Sequence, residues 1–483
     1  MIAIVIVLVH VDQSRASLVM CGAYSFMLCR GLGSGLVLES LLVANRGEIA
    51  RRIIATANGM GIRTIAVYSE ADEHLPFVRE ADEAVLLGPA PPAESYLDVE
   101  AVLAAAKRTG AQAIHPGYGF LSENADFAQA VGDAGLIWVG PSPDAMRSMG
   151  DKIAARNRMA AAGVPVAPGT PDPVPDVEAA LAAAAEIGYP VMVKAAAGGG
   201  GIGMSAAFND EELASAFETA RTRAERFFAH PAILLEKYVP SARHIEVQIL
   251  GLADGTVVAL GERDCSVQRR HQKVAEESPS PAVSEQTRAA ILEAAVKAGE
   301  AVGYRNAGTV EMLFDTATGD AWFLEMNTRL QVEHPVTEAV TGLDLVAEQL
   351  RIAAGELPSF DPANLPVATG HAIELRVYAE DPKRFLPGPG AITEWVQPTG
   401  DGVRVDAGYE AGNTVTPFYD PLLAKLIVHG ANRADALAKA RRAVEDFTVV
   451  GPKNNLPFFT ELLNNDEFVR GDYDTGLISR MRP

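Results

Sequence analysis

From residue 41 the chain alternates short apolar runs with amphipathic stretches. The runs at 41–44, 64–68, 113–115 and 137–139 are short, apolar and bounded by polar or glycine positions, which predicts buried strands. Between them, 49–57 and 99–108 repeat their apolar positions at helical spacing. Strand and helix in alternation predict a parallel sheet covered by helices.

The rhythm changes near residue 151. An alanine-rich helical stretch at 176–187 leads to a strand at 190–194 and a glycine loop at 198–201. Period-2 alternation then dominates at 244–250, 256–260, 309–314 and 321–326, predicting antiparallel strands in an α+β unit. Beyond a proline-containing segment at 358–366, strands are expected at 372–377, 391–396 and 423–428, with a helix at 434–445. The organisation expected is therefore a unit at 39–150, a second at 151–357 and a third at 369–477. Residues 1–38 show neither period and are expected to be an appended or mis-started extension.

Length supports this division, since 483 residues exceed what one hydrophobic core usually organises. With 41 Lys plus Arg against 62 Asp plus Glu, the formal net charge of −21 argues against nucleic acid or an anionic membrane as partner. An anionic substrate must then meet positive charge concentrated locally. The 3 cysteines, Cys21, Cys29 and Cys265, form no disulfide framework or clustered zinc pattern, and a reducing cytoplasm is expected. No apolar run approaches the roughly 18 residues a membrane span needs.

Candidate chemistry begins at Lys194, a lysine at a strand end followed by glycines that include Gly200 and Gly201. Glycines let backbone amides approach phosphate oxygens, and the ammonium adds a point charge there. The break after the strand at Glu236, Lys237, Tyr238 and Val239 offers backbone donors and acceptors suited to an adenine edge. His244, Glu246 and Gln248 share one face of the next strand, for which a half-exposed position is expected. Arg269, Arg270, His271 and Lys273 concentrate positive charge in this acidic chain and suit bicarbonate and phosphate oxygens.

Further along, Glu325, Asn327, Arg329, Gln331 and Glu333 occupy every second position, so a chain extended until Pro335 projects all of them to one side. Glu311, Glu325 and Asn327 supply the oxygen donors that magnesium favours when it also bridges nucleotide phosphates. Arg329 can fork onto a planar carboxylate-like anion, with Glu333 nearby as a base.

Taken in order, Asn45-Arg-Gly-Glu-Ile49, His115-Pro-Gly-Tyr-Gly-Phe-Leu-Ser-Glu-Asn124, Met149-Gly-Asp-Lys152, Gln268-Arg-Arg-His-Gln-Lys273 and Glu325-Met-Asn-Thr-Arg-Leu-Gln-Val-Glu-His334 resemble the motifs of biotin carboxylases. The resemblance spans residues 41 to about 477. It implies an α/β and α+β ATP-grasp architecture: a Rossmann-like N-terminal domain, a central ATP-grasp domain with a mobile lid at about 166–238, and a C-terminal domain. It implies that Lys152 and Lys194 hold ATP phosphates under the Gly200–Gly201 loop, and that residues 236–239 contact adenine. His244, Gln268 and His271 assist nucleotide binding, with Mg2+ or Mn2+ as metal. Lys273, Arg329, Gln331 and Val332 position bicarbonate, Glu333 takes its proton, and Arg376 stabilises the biotin enolate.

Ile202 and Ser205 depart from the family, which often carries a basic residue at each position. No Met-Lys-Met biotin-attachment site occurs, so the expected partners are a separate biotin carrier, a carboxyltransferase subunit and a second copy of the chain, in acyl-CoA or fatty acid metabolism. Rival expectations are another ATP-grasp ligase forming a carbamoyl or acyl phosphate, and a non-catalytic ATP-binding regulatory subunit.

Overall fold

The computed structural model describes residues 37–195, 204–228 and 232–482. Most of the expected N-terminal extension, and the glycine loop with Gly200, Gly201 and Ile202, lie outside them. Among the described residues, no helix is long and apolar enough to cross a membrane.

Five parallel strands open the fold: β1 Ser40–Val43, β2 Arg63–Ser69, β3 Glu83–Gly88, β4 Ala113–His115 and β5 Ile137–Trp138. Their order in the sheet is β3-β2-β1-β4-β5, with the fully buried β1 at the centre. Its apolar sequence follows from having helices on both faces. β3 was not anticipated from sequence: it is a sheet edge with Leu86 exposed and a single fully buried residue, Val85, so alternation there is weak.

The helix Gly47–Gly59 follows β1, and Arg46 at its start makes no side-chain cap. Arg46 instead forks onto Asp72 at 2.6 and 2.7 Å, donates to Tyr409 Oη at 3.1 Å and lies 4.2 Å above the Tyr419 ring. Tyr409 and Tyr419 come from the far end of the chain. At Gly408 an added Cβ would stand 2.7 Å from the Glu48 amide nitrogen, so only glycine allows the loop to close on this helix end. The turn after β1 thus receives another part of the chain.

The second body is an eight-stranded sheet. It contains β9 Ala242–Gly251, β10 Val257–Arg269, β11 Gln272–Ser278, β12 Asn306–Asp315, β13 Ala321–Asn327, β14 His371–Tyr378 and the strands Val403–Ala407 and Leu422–Gly430. The order is β13-β12-β9-β10-β11-β14, then Leu422–Gly430 and Val403–Ala407 at the edge. β14 pairs antiparallel with β11, so the sheet passes without interruption from the expected second unit into the third. A smaller sheet of β6 Val191–Ala195, β7 Met204–Ala207 and β8 Ile233–Lys237 stands beside it, packed on the helices Val177–Ile187 and Asp210–Phe228 around Ala184, Val193, Phe217 and Leu235.

Four local expectations are corrected. β9 is buried on both faces, with Glu246 and Gln248 fully inaccessible, rather than half exposed. β10 continues to Arg269 and turns through Arg270 and His271, both at positive φ, the geometry of a two-residue hairpin. The extended run ends at Asn327, and Pro335 lies in the first turn of the helix His334–Thr341. Residues 391–396 are not one strand but two, Gly390–Ala391 and Glu394–Val396, in separate two-stranded sheets.

Arg46→Ala is expected to lower stability by about 3 kcal/mol or more, because Asp72 would remain buried without its cation. Chemical denaturation followed by tyrosine and tryptophan fluorescence measures it.

Candidate active site

A cavity of about 450 Å3 opens between the small sheet and one face of the eight-stranded sheet. Strand register explains what lines it. Arg263 on β10, Glu246 on β9, Glu311 on β12 and Glu325 on β13 are directly opposed from strand to strand, forming one row across the face. Like charges opposed in this way destabilise a sheet unless cations intervene. Arg263 bonds Glu246 at 2.5 Å, and Lys273, just past the hairpin, reaches back over the row.

The Lys273 ammonium donates to Glu246 Oε2 at 2.5 Å, Glu311 Oε1 at 2.9 Å and Glu333 Oε1 at 2.6 Å. Burial alone would lower its pKa, but the three carboxylates raise it well above the ordinary lysine value. Burial pushes Glu311 upward, yet Lys273 and His244 hold it well below the carboxylate range. Glu333 is likewise held low against its burial, by Lys273, Arg376 and Arg263. Both are ionised at neutral pH.

Arg376 on β14 approaches Glu276 at 2.5 Å and donates to Glu333 Oε2 at 3.0 Å. Glu276 is raised to about 7 by burial, with Arg376 opposing. Arg329 stands 3.1 Å from Glu123 and donates to Asn327 Oδ1 at 3.0 Å. His244 joins Gln268 at 2.9 Å and Glu311 at 3.1 Å, tying one wall together.

The cavity brings together Lys152, Lys194, Glu236, His244, Gln268, His271, Lys273, Glu311, Glu325, Asn327, Arg329, Gln331, Val332, Glu333 and Arg376. At its rim Lys152 lies 3.5 Å from Glu325, and Lys194 pairs with Glu236. Beyond Asn327 the backbone is irregular, yet Arg329, Gln331 and Glu333 still face the cavity, so turn geometry achieves what an extended strand was expected to do. Gly200 and Gly201 lie outside the described residues, while Ser205 sits on β7 opposite Val193.

Not every expected residue arrives. Lys237 Nζ donates to the carbonyls of Gly188 and Tyr189, and Tyr238 packs edge-on against Phe208 at 6.0 Å. Those two side chains turn away, and Val239 is buried outside the lining, which leaves the backbone of 237–239 as what the segment can offer. The basic run also separates: Arg269 pairs with Glu380 and stacks 4.6 Å from the Phe385 ring, Arg270 is exposed, and only His271 and Lys273 line the cavity.

Sequence reasoning assigned no site role to Glu246, Arg263, Glu276, Glu123 or Cys265, whose Sγ lies 4.0 Å from Glu333. Glu246 carried a signal, its alternation with Ile245 and Val247. Arg263 and Glu276 carried none, because only strand pairing brings Arg263 opposite Glu246 and Glu276 within reach of Arg376.

Comparison with known proteins gives three adjoining matches. The family descriptions "Biotin carboxylase, N-terminal domain", "Carbamoyl-phosphate synthase L chain, ATP binding domain" and "Biotin carboxylase C-terminal domain" match residues 37–146, 151–359 and 374–480. The chain is 51% identical over 440 residues to biotin carboxylase 2 of Bacillus subtilis, covering 91% of this chain and 99% of that protein. It is 48% identical to the biotin carboxylase of Pseudomonas aeruginosa, over 90% of this chain and 96% of that one. Among solved structures, a biotin carboxylase complex from Campylobacter jejuni superposes with a TM-score of 0.87 at 43% identity, covering 92% of this chain and 99% of that one. The biotin carboxylase domain dimer of Hydrogenobacter thermophilus 2-oxoglutarate carboxylase, in complex with MgADP, ADP and bicarbonate, gives 0.85 at 42%, covering 92% and 97%.

Lys273→Met removes the cation common to the buried carboxylates and is expected to reduce stability by about 3 kcal/mol or more at pH 8. Glu311 and Glu333 are depressed in the folded parent, so their stabilisation is present above the ordinary carboxylate value of about 4.3 and is lost as pH falls. The deficit of the variant should therefore shrink towards acid pH. Denaturation curves at pH 8 and pH 3 check this, and a deficit of equal size at both would contradict it.

Proposed function

The chain belongs to the biotin carboxylase family, an ATP-grasp ligase family, and from that premise we propose the residues and steps by which it carboxylates biotin. Lys152 and Lys194 hold the nucleotide phosphates at the cavity rim, under a lid to which the small sheet belongs. The backbone of 236–239 meets the adenine. Glu311, Glu325 and Asn327 hold Mg2+. Their fit rests on the opposed strand positions of Glu311 and Glu325, which bring two carboxylates to one patch, with the Asn327 amide on the same strand as Glu325. Bound there, the metal neutralises charge on the nucleotide phosphates.

Bicarbonate enters among Lys273, Arg329, Gln331 and Val332. The same cations that keep Glu333 ionised also favour loss of the bicarbonate proton, which Glu333 accepts as base. A bicarbonate oxygen then attacks the γ-phosphorus of ATP, the bond to the bridging oxygen breaks, and ADP and carboxyphosphate result. Inside the enclosed site carboxyphosphate divides into carbon dioxide and phosphate. The phosphate takes the ureido proton of biotin, Arg376 stabilises the negative charge that develops on the ureido oxygen, and the ureido nitrogen bonds to the carbon dioxide. Excluding water protects the phosphorylated intermediate, which gives lid closure its chemical purpose.

The observation that carries this reading is the meeting of Arg329, Lys273, Arg376 and Glu333 in the cavity whose rim carries Lys152 and Lys194. Biotin arrives on a separate carrier protein, and a carboxyltransferase subunit passes the carboxyl group to an acyl-CoA in the cytoplasm. The separate carrier is supported by relatives named biotin carboxylase that this chain matches over 96–99% of their length. Dimerisation of the enzyme is supported by the Hydrogenobacter thermophilus domain dimer.

Release of ADP is expected to require bicarbonate and to rise on addition of free biotin, a response that separates this reaction from carbamoyl-phosphate formation. Glu333→Gln should reduce the biotin-stimulated rate by about 100-fold to 10,000-fold. An undiminished rate in the variant would rule out the role given to Glu333.

A further inference from the structure

Of the groups that face the small anion, Gln331, Val332 and Glu333 lie on a short irregular turn between β13 and the helix His334–Thr341. Glu333 precedes the helix His334–Thr341 with φ −78° and ψ 6°, and makes no side-chain cap. What holds the turn from behind is Lys425. This side chain is completely buried on the strand Leu422–Gly430, directly opposite Arg376 on β14. Two cations opposed across a strand pair repel, so each must be held by groups of its own. Arg376 has Glu276 and Glu333. Lys425 Nζ lies 3.2 Å from Glu48 and 3.9 Å from Asp406, and it donates to the Val332 carbonyl at 3.0 Å.

That last contact bears on the reacting groups. The Val332 carbonyl and the Glu333 amide belong to a single planar peptide unit, so fixing the oxygen fixes the plane from which Glu333 enters the cavity. Glu48, the carboxylate on the other side of the ammonium, begins the helix that follows β1 and receives the Tyr118 hydroxyl. One buried ammonium therefore joins the start of the chain, its last large strand and the turn between them.

We propose that Lys425 is a positioning residue for the reaction, acting through the Val332–Glu333 peptide on bicarbonate rather than on nucleotide. The proposal rests on the reaction assigned above and adds to it a residue outside the cavity lining. Burial pushes Glu48 up to about 7 against the pull of Lys425, so removing the lysine alone leaves an acid that must gain a proton. The test therefore uses the full chain with Lys425→Met and with the charge-matched pair Lys425→Met/Glu48→Gln.

In the paired variant the thermal midpoint should return towards that of the parent. The KM for bicarbonate should still rise about tenfold, with the KM for ATP changed by less than about twofold, as loss of a single charged hydrogen bond at the turn implies. Hydrogen–deuterium exchange of the peptide covering 328–337 should also quicken by about tenfold, a readout independent of catalysis. A folded paired variant with parental exchange and a parental KM for bicarbonate would overturn the proposal, as would equal rises in both KM values. If the parent itself releases no ADP in response to bicarbonate and biotin, the assigned reaction fails, and the exchange measurement alone then decides whether Lys425 clamps the turn.

Discussion

Lys273 sits where the sheet would otherwise be least tolerable, because Glu246, Glu311 and Glu333 converge on its ammonium within hydrogen-bond distance in a largely buried site. Removing such charges from water costs more than surface pairing returns, so the cluster exists at the expense of stability supplied elsewhere in the core. Its effect is to fix ionisation states in advance. Glu333 keeps its negative charge despite burial, and the cations around it already point where a small anion would sit. An arrangement formed before substrate arrives spends little on reorganisation during the reaction.

The sheet makes that cluster possible. Glu246, Glu311 and Glu325 lie on adjacent strands at opposed positions, a placement that depends on register and would be lost by a slip of one residue. Continuity through β11 and β14 then brings Arg376 to the same cavity, although almost all of the expected third unit lies beyond it. The first sheet participates differently: the end of its opening helix is closed over by Gly408, Tyr409 and Tyr419, so the parts of the chain are joined behind the site as well as at it.

Much of this was legible in the residues. The parallel sheet followed from uninterrupted apolar runs, and the alternating carboxylate and amide positions from Glu325 to Glu333 pointed to one side of the chain, as the cavity confirms. The reason given for their convergence was wrong beyond Asn327, since turns replace the strand. Charge clustering misled at Arg269 and Arg270, because sequence neighbours in a hairpin face opposite sides. Pairings between distant segments were invisible: Arg263 with Glu246 and Gln331, Arg376 with Glu276, and Lys425 with Val332 each depend on strand register or a long-range turn. Periodicity reports which side a residue faces, and it cannot report what faces it.

The claim beneath these relationships is that the cavity directs a bicarbonate oxygen onto the γ-phosphorus of ATP. Turnover with oxygen-18-labelled bicarbonate and carrier-bound or free biotin follows that oxygen directly, since bond formation to phosphorus leaves it on the phosphate once carboxyphosphate divides. Mass spectrometry of the released phosphate should find one labelled oxygen for each biotin carboxylated. Phosphate that carries no label while carboxybiotin accumulates would contradict the account.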